Sequence, residues 1–277
     1  MTEVTLSGYR CILGRLLEAL GNVPQHYTAA QLRAFVLVQS RGYSHSKAET
    51  VITVVRMFVR FLIATGQCAD GLQYVIPRVA GWRQASLPHY LDPDTVERII
   101  AGCDPCTSMG ARDRAVVLLL ARLALRAGDV AGLRLGDIDW AHGRVLVSGK
   151  ARRAAWLPLP QEVGEALLHY IERGRPAVGG DGVFLIIHAP FTPIGARQVC
   201  QTAERAIRRA GVEAPSYGAH LFRHSAATAL LRQGLSLQAI GTLLRHRDVD
   251  TTAIYAKVDV DLLQQIALPW PEEGVPC

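Results

Sequence analysis

The stretch Ile76–Pro93, "IPRVAGWRQASLPHYLDP", is rich in Pro and Gly and carries no apolar period. A helix cannot continue through it, because each proline lacks an N–H donor and biases the residue before it away from helix. It therefore splits the chain into two stretches that must each form a core. The chain has 277 residues, of which 49% are hydrophobic, so there is apolar material for both. The expected organisation is an N-terminal helical domain over 1–79, a linker over 80–90, a larger domain over 91–267 and a tail over 268–277.

Ahead of the break, the apolar spacing is helical throughout. "TLSGYRCILGRLLEAL" has an apolar stripe, "TAAQLRAFVLVQSRG" runs from Thr to Gly, and "SHSKAETVITVVRMFVRFLIATG" runs from Ser to Gly. Residues 1–80 hold eight Lys or Arg against four Asp or Glu, so this part carries most of the net charge of +6. A basic chain favours a polyanionic partner. Only three of the 30 basic residues are lysines (Lys47, Lys150 and Lys257); the rest are arginines, which suit bidentate phosphate contacts.

After the break, "DPDTVERIIAG" reads as a capped helix and "ARDRAVVLLLARLAL" as a buried one. The period then changes. "RVLVSG" and "AAWLPL" flank "KARR" and predict two strands of a hairpin. Helices are expected near 161–173, 193–211, 219–233, 236–244 and 251–257. The start lacks the order of a secretory signal, and "AVVLLLARLAL" is too short to span a bilayer. The cysteines are scattered and only Cys103 and Cys106 have metal-like spacing, so reduced thiols, no metal, no cofactor and no membrane partner are expected.

Several polar residues sit where burial is costly. Arg126 follows a strongly apolar helix, with Asp129 three residues on. The pair fits a structural ion pair, or an Asp129 that orients Arg126 towards a ligand phosphate. Lys150 falls at the hairpin tip, followed by Arg152 and Arg153. It fits a solvated turn, or a cationic tip reaching a DNA groove, and a lysine can release a proton where arginine cannot. His220 and Arg223 are three apart on one helix and share a face. In "LLRHRDVDTTAIYAKV", His246 and Tyr255 stand nine residues apart across a charged turn, and a lone Tyr255 would most simply be a core aromatic.

In order, Arg126, Lys150, His220-x-x-Arg223, His246 and Tyr255 form a series that resembles the tyrosine recombinases, the phage-integrase family of site-specific recombinases. "LALRAGDVAGLRLGDID" resembles the first-arginine box and "VLVSGKARRAAWLPLP" the lysine hairpin. "HLFRHSAATALLRQG" resembles the His-x-x-Arg box, and the stretch ending in Tyr255 resembles the terminal His…Tyr box. Three positions differ: the family often has Gly at Ala124 and Arg245, and usually Gly at Ala151.

The resemblance implies a mainly α fold with a small antiparallel β-sheet, built as a two-domain DNA clamp from a helical core-binding domain and a catalytic domain. Tyr255 would be the nucleophile, His220 its base and Lys150 the acid for the leaving 5′-oxygen. Arg126, Arg223 and His246 would hold the phosphate, with Asp129 behind them. Lys47, Arg56, Arg152 and Arg153 are candidates for DNA phosphate contacts. The expected partners are double-stranded DNA and further copies of the chain in a synaptic tetramer, with or without a related recombinase, in the cytoplasm at a bacterial nucleoid. The segment "DVDLLQQIAL" is amphipathic and would pack on a neighbouring protomer or on its own domain. A helix-turn-helix regulator, a type IB topoisomerase and an inactive paralogue are the rival readings; the regulator leaves Arg126, Lys150 and His220–Arg223 without a purpose.

Overall fold

A computed structural model describes residues 3–78, 88–148, 154–245, 252, 254 and 255. The chain divides into two compact units, Met1–Ala85 and Ser86–Cys277.

The first unit is helical. Helices α1 (Glu3–Leu20), α2 (Ala29–Ser40) and α3 (His45–Ala64) pack on one another. Thr28 caps α2 through a reciprocal bond with Gln31, as its Thr-x-x-Gln spacing allows. The core comprises Leu16, Leu32, Phe35, Val36, Val55, Val59 and Leu62, at helical spacing on the three inner faces. On α3, Arg56 lines a cavity of about 470 Å³ together with Arg60 and Arg78. Arg56 also donates to the carbonyls of Ile76 (3.1 Å) and Pro77 (3.4 Å), tying the end of the unit back to α3. Lys47 lies 4.0 Å from the centre of the Tyr43 ring.

The second unit centres on α5 (Ser108–Arg122), whose run Ala115–Leu120 is wholly buried. Around it pack α4 (Pro93–Ala101), capped by Asp92, together with α7 (Gln161–His169), α8 (Ala196–Arg209) and α9 (Ala219–Arg232). Gly110 lets the first turn of α5 close on the preceding loop, since a Cβ there would stand 1.9 Å from the Asp104 carbonyl oxygen. The helix α6 (Ala127–Ala131) follows, then an antiparallel sheet in the order β1 (Ile138–Asp139), β2 (Arg144–Val147), β3 (Ala155–Pro158). The hairpin strands pair as expected, with Val145 opposite Leu157 and Val147 opposite Ala155. The two-residue β1 was not legible in the sequence, being too short to show alternation. Helix α10 (Leu237–Leu243) follows α9 and is capped by Ser236.

Three expectations are corrected. The buried helix ends at Arg122, so Leu123–Leu125 lie beyond it, because Ala124 takes a left-handed φ of 50° that no helix can hold. The helix expected over 161–173 is α-helical only to His169 and then widens to a π-turn over Tyr170–Gly174. There Tyr170 stacks on Phe184 at 5.5 Å, and its hydroxyl accepts the backbone N–H of Leu185. The helix expected over 193–211 begins only at Ala196.

Asp113 on α5 is fully buried and faces three guanidiniums: Arg112 at 2.9 Å, Arg205 at 3.4 Å and Arg209 at 3.5 Å. Removing the carboxylate leaves buried positive charge uncompensated. Asp113→Asn is expected to lower unfolding free energy by about 3–5 kcal/mol, read from the urea midpoint at neutral pH. A change within experimental error would mean that water already screens the cluster.

Candidate active site

The site is built where three separated segments meet. The first is the turn after α5, with Ala124 and Arg126. The second is α9, which carries His220, Arg223 and His224. The third is the end of α10 with Leu244 and Arg245, together with Thr252 and Tyr255. Ala124, Ala227, Ile240, Leu244 and Tyr255 form a small core of their own beneath it. Gly241 lets α10 approach the Tyr255 segment, since a Cβ there would meet the Thr252 hydroxyl at 2.9 Å.

Arg223 is 3% exposed. It donates through Nη1 to the carbonyl of Ala124 and through Nη2 to that of Leu244. Arg126 donates through Nη2 to the next carbonyl, that of Arg245, at 3.5 Å. Two cations from distant parts of the chain thus reach consecutive carbonyls. Burial first, and the charge of Arg126 second, lower the Arg223 pKa to about 10. Asp129 is buried and accepts the backbone N–H of Arg126 at 3.3 Å and the guanidinium of Arg245. Asp129 therefore acts on Arg126 through the backbone that starts α6, a route that spacing alone does not reveal.

Tyr255 is 1% exposed, so it is a core aromatic as well as a candidate nucleophile. Burial raises its pKa, while Arg223 and Arg126 pull it back down. Its hydroxyl lies 2.9 Å from Nδ1 of His224. His224 is the residue that the sequence reading missed. The signal was present, because His224 stands one turn after His220 on the same helix face. The two imidazoles stack at 5.5 Å, and it is His224, not His220, that meets the tyrosine. Burial, then His220, Arg223 and His89, push the His224 pKa down to about 4. Its ring is therefore neutral at physiological pH, and in the tautomer that leaves Nδ1 without a proton it accepts a hydrogen bond from the Tyr255 hydroxyl. Desolvation, Arg223 and Arg126 also lower His220, although part of its surface remains open to solvent.

Ala124 (φ 50°) and Arg245 (φ 52°) occupy left-handed backbone, the conformation that glycine adopts without cost. The loops keep this shape despite their side chains, at about 1–2 kcal/mol for each residue. Lys150, Arg152, Arg153 and His246 lie outside the described residues, as do residues 80–87 of the expected linker, most of the helix expected over 251–257 and everything after Tyr255. Among the described residues no cluster of His, Cys, Asp or Glu is suited to a metal, and no helix is long and apolar enough to cross a membrane.

Residues 89–261 match the model of the phage integrase family. The protein y4rA of Sinorhizobium fredii, whose name carries the words integrase/recombinase, is 42% identical over 88% of this chain and 61% of its own length. The chain thus spans less than two thirds of that relative. The tyrosine recombinase XerC of Anoxybacillus flavithermus is 26% identical over 96% of this chain and 91% of its own. Among solved structures, the site-specific recombinase XerH bound to its difH substrate in a pre-cleavage complex superposes with a TM-score of 0.71. It is 19% identical and covers 95% of this chain and 79% of its own.

Because His224 titrates near pH 4 when folded and near 6.5 when unfolded, the unfolded chain takes up a proton between those values that the folded one refuses. Stability is full above about pH 6.5 and falls as the pH drops towards 4. The fall in urea midpoint between pH 7 and pH 5 is expected to be smaller in His224→Gln than in the wild type. Equal falls in both would remove His224 from the account.

Proposed function

The chain belongs to the phage integrase family, and on that premise we propose that it is a site-specific DNA recombinase that cuts and rejoins strands through a 3′-phosphotyrosine. The observation that carries the reading is the convergence of Tyr255, His224, Arg223 and Arg126 on one site. Two like charges held together in a buried setting raise each other's energy, and an anion relieves that cost.

The chemistry follows from the residues. Tyr255 Oη attacks the scissile phosphorus and forms the O–P bond as the bond to the 5′-oxygen breaks. The tyrosine proton passes to Nδ1 of His224, the ring that touches it, with His220 stacked behind. This shifts part of the base role from His220, which the family resemblance alone would name. Lys150 supplies the proton for the leaving 5′-hydroxyl. Arg126 and Arg223 face the non-bridging oxygens as charge builds on the phosphorane, joined by His246. A guanidinium has more donors than the carbonyls of Ala124 and Leu244 occupy, so Arg223 can hold its loops and a phosphate together. The ester energy is conserved in the tyrosine link, so a second 5′-hydroxyl can reverse the step on another strand without ATP.

Double-stranded DNA is the substrate, held in part by salt-sensitive contacts from Lys47, Arg56, Arg152 and Arg153. Exchange between two sites calls for several copies of the chain on DNA, a synaptic tetramer, working at the nucleoid in the cytoplasm of a bacterial cell. The outcome is integration, excision, transposition or resolution.

The test is covalent capture. The chain is incubated with nicked duplexes randomised across the recognition site, and adducts that survive SDS are recovered and sequenced. The wild type is expected to form them, with the same yield in EDTA, and Tyr255→Phe to form none. A DNA-binding regulator would leave no adduct. A selected duplex that supports relaxation of supercoils but no exchange between two sites would favour a topoisomerase instead.

A further inference from the structure

We propose that Arg245 is a positioning residue for strand cleavage, a role that rests on the recombinase reading above. Its side chain is 12% exposed. Nη2 binds the Asp129 carboxylate and Nη1 donates to the carbonyl of Val147 at 3.0 Å. Its own carbonyl accepts Nη2 of Arg126.

These bonds join three parts of the site that are far apart in sequence. Asp129 also accepts the backbone N–H of Arg126, so Arg245 braces the turn that aims Arg126. Val147 ends β2, three residues before Lys150. Arg245 itself directly precedes His246. One guanidinium thus fixes where the Arg126 turn, the strand leading to Lys150 and the chain leading to His246 stand relative to one another. The backbone at Arg245 is left-handed, where glycine would fit with least strain. A glycine would give the same turn and the same carbonyl for Arg126, but neither the bond to Asp129 nor the bond to Val147.

A planar fork suits this work because its two Nη groups can serve a carboxylate and a carbonyl at fixed directions. Lysine keeps the charge but presents it as a single point. Methionine keeps much of the length and neither charge nor donors.

The test uses the full chain and a nicked duplex selected by adduct capture. Single-turnover adduct formation at saturating duplex, duplex affinity and thermal midpoint are measured for the wild type, Arg245→Met and Arg245→Lys. Arg245→Met is expected to slow adduct formation on the order of 10- to 100-fold, the scale of small misplacements in an active site. Its duplex affinity is expected to be unchanged, and Arg245→Lys to recover part of the rate. Adding Asp129→Asn to Arg245→Met is expected to cost less than the product of the single losses, because both act through one contact. A wild-type rate in Arg245→Met overturns the proposal. So does a loss accounted for by a smaller folded fraction, or one confined to duplex affinity, which would make Arg245 a DNA contact. A wild-type chain that forms no adduct with any duplex overturns the recombinase reading instead.

Discussion

The buried guanidinium of Arg223 is the interaction on which the site depends. It is 3% exposed and bonds the carbonyls of Ala124 and Leu244, which lie 120 residues apart in the chain. Leaving such a cation without partners would cost several kcal/mol. The loops that supply those carbonyls are therefore held to a geometry that satisfies it. One follows α5 through a left-handed Ala124, and the other leaves α10 through a left-handed Arg245. The residue that binds the phosphate in the proposed reaction thus also organises the protein around that phosphate.

Around this point charge and burial are played against each other. Arg126 comes near Arg223 through the next carbonyl, and Asp129 partly offsets the charge of Arg223. Tyr255 is buried, which raises its pKa, yet it lies within the field of the two arginines, which lowers it. His224 is kept neutral by burial and by its cationic neighbours, and its Nδ1 lies within hydrogen-bond distance of the Tyr255 hydroxyl. Arg223, Tyr255 and His224 each depart from their ordinary acid–base behaviour because of the neighbours that the fold gives them.

Much of this could be read from residue order. The helical spacing of the first unit and the strand patterns at Arg144–Val147 and Ala155–Pro158 were visible because local propensity and tertiary packing agree there. Arg126, Asp129, His220, Arg223 and Tyr255 stood out because each is polar or aromatic in a setting that makes it conspicuous. His224 did not, because a histidine beside an arginine on a helix looks like one more surface cation until Tyr255 is seen against it. Arg245 was noted only as a residue in a glycine's place, and its partners Asp129 and Val147 are about 100 residues away in sequence.

The sequence by itself determined the mainly helical class and the small antiparallel sheet. These follow from periodicity, caps and breakers, which act over a few residues. Only the tertiary structure decided which histidine meets Tyr255, that Arg223 is spent partly on two backbone carbonyls, and that Asp129 is shared with Arg245. Those outcomes turn on contacts between segments far apart in the chain, set by how α9 and α10 pack against the turn after α5.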